Sequence, residues 1–339
     1  MAATQANPTR PFPAAGPLPA GLVLRHLRPP DDYPKMNAIA NAIRAAEGED
    51  FYTTDDQFQK FYENLSGCDA TTDVAIAEID GRIVGYGRTA THEELDGTRI
   101  YEIIPFVDPA VAGEEVFEAM RAAVETRAVT IAAGHPPGDK FLETFGGDQA
   151  PKRNALLQAA GYAPVRYFYS MVRPSLEDLP DAPLPDGLEI REVQPEHMRL
   201  IWAAADEAFR DHWGYTPSTE SDYELFLTDP VMTDTSLWRI AWDGDEVAGQ
   251  VRSYINAEEN ARHGRLRGYT EHISVGRPWR RRGLARALIA ASFPLLRARG
   301  MTEAALGVDT ENTSGALRVY EGCGFRPVSR SATYRKTLA

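Results

Sequence analysis

Residues Thr270–Arg286, TEHISVGRPWRRRGLAR, hold the densest chemistry in the chain. Glu271 is a carboxylate able to take a proton. Arg277, Arg280, Arg281, Arg282 and Arg286 are forked cations crowded into one turn. Side-chain alternation along a strand places Glu271, Ile273 and Val275 on one face. Gly276, Arg277 and Pro278 end that strand. Leu284, Ala287, Leu288 and Ala291 then follow helical spacing. The first N–H groups of a helix lack intrahelical partners and carry the positive end of its dipole. A strand that turns into such a start binds anions, phosphate above all. Gly283 removes a Cβ where a phosphate must come close.

The elements needed to position this turn are legible around it. Leu188–Val193 and Leu237–Trp242 read as strands, as does Val247–Ile255 after the Asp243-Gly244 turn. Arg265–Val275 is a long strand. The helix that follows has Pro294 inside it, so it is expected to kink or to be short, and Gly300 ends it. Thr302–Val308 is a strand, Ser314–Cys323 a helix introduced by Asn312, Thr313 and Ser314, and Phe325–Lys336 the last strand.

The same order runs through the first half. It reads as a strand at Leu22–Leu27, helices near Met36–Ile43 and at Thr54–Leu65, and a hairpin around Asp80-Gly81. A strand at Arg99–Val107, a helix at Glu114–Arg127, a strand at Val129–Ala133, a helix at Lys152–Ala160 and a strand at Ala163–Val172 follow. AEIDGRIVGYG answers IAWDGDEVAGQ, and ALLQAAGYAPV answers ALRVYEGCGFRPV. A period of about 160 residues means a duplicated domain, not a solenoid. Opposite the arginine run the first half carries Asp108–Glu115, with no arginine and with Glu114 and Glu115, a turn that repels polyphosphate. The expected division is a disordered tail at 1–21, a degenerate domain at 22–173, a Pro-rich acidic linker at 174–187 and a competent domain at 188–339.

The whole chain has 339 residues, a hydrophobic fraction of 43% and a formal net charge of -13. This is a globular composition, and the acidity argues against nucleic acid as a partner. Two cysteines, Cys68 and Cys323, make no disulfide framework. No apolar run spans a membrane, and the N-terminus has no secretory pattern, so a cytoplasmic protein is expected. The seven histidines show no ligand spacing, so no metal is expected.

On Arg280-x-x-Gly283-x-Ala285 in its strand–turn–helix setting, followed by Val308-Asp309-Thr310-Glu311-Asn312 and Ala316-Leu317-Arg318-Val319-Tyr320-Glu321-x-x-Gly324-Phe325, the second half resembles the GCN5-related N-acetyltransferase (GNAT) superfamily. The tandem arrangement partly resembles mycothiol synthases. The fold implied is α/β (α+β), with two tandem GNAT-like domains, each a mixed, mostly antiparallel central sheet flanked by helices. The resemblance implies acetyl-CoA as co-substrate. The backbone of Ile273, Ser274 and Val275 would pair with its pantetheine amides. The turn Arg280, Arg281, Arg282, Gly283, Leu284, Ala285 and Arg286 would cradle its pyrophosphate, and Asn312 would hydrogen-bond it. Tyr320 would protonate the departing thiolate and Glu271 would serve as base. Trp213 and Tyr215 fall in the region that covers the acceptor site in this family.

The residues alone leave other readings open. Tyr320 is also a core aromatic over Phe325, Asn312 a helix cap, and Glu271 a structural strand carboxylate. The expected function is acetyl transfer to a primary amine of a small molecule by direct attack, with a monomer or homodimer as the working form. The alternatives are a mycothiol synthase-like or aminoglycoside-type acetyltransferase and a non-catalytic acyl-CoA sensor.

Overall fold

The computed structural model describes residues 11–338 apart from Ala112, Pro230, Thr233 and Thr313. The chain forms two compact units: residues up to Val165 with those from Ala332 onward, and Arg166–Ser331.

The first unit contains β1 (Leu22–His26), α1 (Tyr33–Ala46), α2 (Asp55–Glu63), α3 (Ala70–Asp73), β2 (Val74–Ile79), β3 (Arg82–Glu93), β4 (Arg99–Val107), α4 (Glu114–Ala132), β5 (Lys140–Gly147) and α5 (Pro151–Ala159). Its strands lie in the order β1-β2-β3-β4-β5, with the end of the C-terminal strand beside β5. Pairing is antiparallel except between β4 and β5. The β2–β3 hairpin turns on Asp80 and Gly81, both with positive φ, as its two-residue turn requires.

The second unit begins within β6 (Ala163–Arg173). It contains β7 (Glu189–Arg191), α6 (Met198–Phe209), α7 (Glu220–Thr228), β8 (Trp238–Asp243), β9 (Glu246–Tyr254), α8 (Ala257–His263), β10 (Arg267–Val275), α9 (Leu284–Ala298), β11 (Glu303–Asp309), α10 (Ala316–Gly322) and the first part of β12 (Arg326–Thr337). Its sheet order is β6-β11-β10-β9-β8-β7, with β10 and β11 parallel and the other registered pairs antiparallel. A mixed, mostly antiparallel sheet flanked by helices is therefore built twice, in matching element order. Among the described residues no helix is long and apolar enough to cross a membrane.

Several expectations are corrected. The tail is ordered from residue 11. Phe12 is 2% exposed and its N–H donates to Leu24 O. Residues 1–10 of the expected tail lie outside the described ones. The stretch 174–187 is irregular but is no free linker: Leu176 is buried in the core of the second unit, with Leu179 and Leu184 packed beside it. The units part at Val165 and Arg166 instead. The strand expected at Val129–Ala133 is the last turn of α4. The local β-branched run Val129-Thr130-Ile131 is overridden because Ala128 and Ala132, four apart, bury one helical face. The real fifth strand is β5, and α8 was not anticipated. Pro294 does not shorten its helix: α9 spans 15 residues through it. The helix expected from Ser314 starts at Ala316, after Gly315 with φ +78. Of the residues expected to introduce it, Thr313 lies outside the described ones.

Candidate active site

The site grows from the end of β10. This strand pairs with β11 only over Arg267–Tyr269 opposite Glu303–Ala305. Beyond Tyr269 the two parallel strands part, while β9 stays paired on the other edge as far as Val275. The register passes from Glu271 opposite Arg252 to Ser274 opposite Gln250, so β10 carries a bulge there, with His272 at φ +50. Strict alternation therefore does not run from Glu271 to Val275, and the expectation of one shared face is corrected. Ile273 and Val275 pack toward the core under α9. Glu271 reaches across the parted strands, its Oε1 accepting the Gly307 N–H at 2.8 Å. Burial pushes the Glu271 carboxyl up to about 7, against the lowering effect of that hydrogen bond.

The turn after β10 is shaped by backbone conformations that only a few residues hold comfortably. Arg281 sits at φ +61 and Gly283 at φ +86. Gly283 stands at the N-cap of α9 with no side-chain cap. The first N–H groups of α9 are thus open to an outside acceptor. They face a cavity of about 640 Å³. Of the expected cofactor residues, Ile273, Ser274, Val275, Arg280, Arg281, Gly283, Leu284, Ala285, Arg286 and Asn312 line it, as does Tyr320. Glu271 and Arg282 are not among its lining residues.

The arginines divide into two groups. Arg277 donates to both oxygens of Asp211 and to Glu207. Arg280 donates to Asp211 and to the carbonyls of Val275 and Ala208. These bonds hold the Asp211 carboxyl well below its ordinary range. Arg282 donates to Asp186 O at 3.1 Å. Arg281 and Arg286 line the cavity, and neither has an ion pair among the described residues. Of the five arginines, Arg277, Arg280 and Arg282 are held by the protein, and Arg281 and Arg286 keep their charge open to the cavity.

Tyr320 is 7% exposed, its ring 6.5 Å from that of Phe325. Burial raises its pKa, and the charge of Glu271 raises it further. Asn312 Oδ1 accepts the Ser314 N–H at 2.7 Å, which shapes the turn ahead of α10. Trp213 and Tyr215 are absent from the cavity wall. The Tyr215 hydroxyl donates to Asp206 at 2.8 Å, and Arg166 lies over the Trp213 ring. His212 lines the cavity instead, with Ala208 and Asp211. Sequence reasoning missed His212 because a lone histidine between Asp211 and Trp213 carries no spacing signal. Burial lowers its pKa.

The first unit builds the same turn differently. Past the last paired residues of β4 and β5, Glu102 and Glu143, Phe106 and Phe145 stand edge to face at 6.1 Å. α4 opens with Glu114 and Glu115 behind an uncapped Gly113.

Residues 199–325 match the acetyltransferase (GNAT) family model. A mycothiol acetyltransferase of Salinispora tropica is 30% identical over 260 residues, which cover 76% of this chain and 78% of that protein.

This chain belongs to the GNAT acetyltransferase family.

It is an acyltransferase, of a family whose co-substrate is acetyl-CoA. A mycothiol acetyltransferase of Salinispora arenicola is 27% identical over 78% of this GNAT chain and 81% of its own length. A GCN5-related N-acetyltransferase of Sphaerobacter thermophilus superposes with a TM-score of 0.69 at 23% identity, covering 95% of this chain and 97% of that one. A tandem GNAT protein from the clavulanic acid biosynthesis pathway gives 0.64 at 16% identity, covering 93% and 98%. At these identities the solved structures speak for the fold alone.

Proposed function

We propose that the second unit transfers the acetyl group of acetyl-CoA to a primary amine of a small molecule by direct attack, with Glu271 as base and Tyr320 as acid. The observation that carries this is the placement of Glu271 where β10 and β11 part, with a pKa pushed up to about 7. The residues present fit the co-substrate. The uncapped start of α9, Arg281 and Arg286 supply donors and positive charge for phosphate oxygens. Asp211, the carboxylate on the wall, is already neutralised by Arg277 and Arg280. The β10 edge from Glu271 to Val275 has no β11 partner, so its main-chain groups, apart from the Val275 carbonyl that Arg280 holds, can pair with an extended chain.

Bound acetyl-CoA supplies a thioester, an acetyl group reactive toward a neutral amine. An alkylammonium has a pKa of roughly 10.4 and must lose a proton first. Glu271, its carboxyl pushed up to about 7, is about half ionised at pH 7 and mostly ionised by pH 8, and in that form takes the proton directly or through one water. Tyr320, its pKa raised by burial, stays protonated and can give its proton to a thiolate whose pKa is ~8.5. Holding amine and thioester together is worth ~7–11 kcal/mol, more than either proton transfer alone. The naming of the curated relatives as mycothiol acetyltransferases supports a second reading of the acceptor, the amine of a small thiol in mycothiol formation. The same naming gives no support to a non-catalytic sensor.

The first unit, on this reading, binds no acetyl-CoA and braces the chain. Glu114 and Glu115 at the α4 start, and the Phe106–Phe145 pair between the parted strands, support this. Isothermal titration is expected to give one acetyl-CoA per chain; two equal sites would sink the assignment of a silent first unit. A thiol-release assay over a panel of primary amines and small thiol amines should show acetyl-CoA-dependent turnover. Background rates across the panel would overturn the transferase reading of the acceptor.

A further inference from the structure

The two units carry an arginine at the same place in the fold. Arg88 on β3 lies opposite Val74 and Ile104, and Arg252 on β9 lies opposite Trp238 and Glu271. In each unit the β10-type partner sits two residues past the last residue paired with the next parallel strand, Glu102 or Tyr269. Each guanidinium also rests on aromatic rings: Arg88 on Phe61 and Tyr62, Arg252 on Phe226 and Trp238.

Their charges are treated differently. Arg88 is ion-paired with Glu102. In the second unit the place of Glu102 is taken by Tyr269, whose hydroxyl donates to Glu259, which Arg265 also binds. Arg252 is 4% exposed, its side chain has no hydrogen bond or ion pair among the described residues, and its Nε is buried without a partner. The nearby carboxylate, Asp229, instead accepts the N–H groups of Val231 and Met232. Asp229 acts on Arg252 only through space, and a guanidinium taken out of water with no carboxylate in contact is costly. The unit with the open anion-binding turn keeps this cost, whereas the other neutralises it.

Resting on the acetyl-transfer reading above, we infer that Arg252 is the anchor for a carboxylate on the acceptor, so that the acceptor is an amine that also bears an acidic group. Arg252 and Glu271 are direct cross-strand neighbours, so their side chains leave the same face of the sheet. The carboxylate at Arg252 would set the amine toward the base. The cover over Arg252 is α7, through Phe226, and none of the residues of α7 is fully buried. The cover is partly exposed, while the cation beneath it is not.

The test uses the full chain and Arg252→Met, with Arg252→Lys as a second variant. L-aspartate, L-glutamate, L-lysine and L-cysteine are each assayed beside the carboxamide of the same molecule. With the wild type, the acid should exceed its amide in kcat/KM by tenfold or more for the best acceptor. Arg252→Met should erase that preference, Arg252→Lys should keep part of it, and acetyl-CoA affinity should stay within about twofold in both. Equal rates for acid and amide, or a preference that survives Arg252→Met, overturn the proposal. Thermal shift with the same acids gives a readout free of turnover. If no amine is acetylated but carboxylates raise the Tm of the wild type and not of Arg252→Met, the anion site stands and the acceptor reading falls. No turnover and no Arg252-dependent shift overturns both.

Discussion

Replacing Tyr320 with phenylalanine is expected to lower kcat by about 10²–10⁴-fold, the range a positioned general acid supplies. The change removes one hydroxyl and keeps the ring. Tyr320 packs with its ring near Phe325 in the core under α9, so the apolar contacts survive. The folded state should accordingly lose little stability, and acetyl-CoA affinity measured by titration should hold within about twofold. This split between kcat and affinity separates an acid from a packing residue. A core aromatic alone, its ring kept, would leave kcat untouched. Turnover equal to wild type would exclude Tyr320 as the acid. The raised pKa sets the direction of the pH effect: burial and the charge of Glu271 keep the phenol protonated beyond its ordinary range. Loss of activity on the alkaline side should not therefore appear near neutrality from this group.

Glu271→Gln is expected to be comparably severe, and its signature lies in the pH profile. A base acts in its ionised form. With its carboxyl pushed up to about 7, wild-type kcat/KM should rise through neutrality and level off above pH 8. The glutamine variant should lose that limb and fall by about 10²–10⁴-fold at pH 8. Its amide oxygen can still accept the Gly307 N–H, so the gap between β10 and β11 keeps its bridge. Stability should move the other way. The folded chain holds the Glu271 proton up to about 7, while the unfolded chain releases it near the ordinary value of 4.5. Between these values the folded state binds more protons, so this carboxyl makes stability fall as pH rises through the window. Glu271→Gln should therefore melt higher than wild type at pH 8 and show no such advantage at pH 4. A limb at pH 7 that persists in the variant would assign the base elsewhere.

Much of this was legible in the residues because its causes are local. Turn chemistry at Asp80-Gly81 and at Asp243-Gly244 marks both hairpins, and Thr54 with Gln57 caps α2 within four residues. Gly283 ahead of Leu284 and Ala287 defines the helix start that opens on the cavity, and the arginine run stands beside it. The duplication shows as repeated hairpin and helix–Gly–strand segments. Each of these signals is a short local segment, the range over which backbone propensity acts.

Tertiary structure decided what depends on distant partners. Asp211 lies more than sixty residues before Arg277 and Arg280, and their pairing turns two cations of the run into scaffold. The bulge at His272 comes from register against β9, which no local pattern in TEHISV announces. Gly307, remote in sequence, meets Glu271 only because β10 and β11 part, and burial there moves the carboxyl toward neutrality. The run Val129-Thr130-Ile131 favours a strand until the core claims Ala128 and Ala132 as one helix face. Arg166 lies over the Trp213 ring and Asp206 accepts from the Tyr215 hydroxyl, contacts that no local pattern announces. Local residue patterns were enough to show that the chain carries this fold twice and an arginine-rich turn at one helix start. Only the folded sheet decided which charges in that turn are free, because a charge is neutralised by what packs against it and not by what precedes it in the chain.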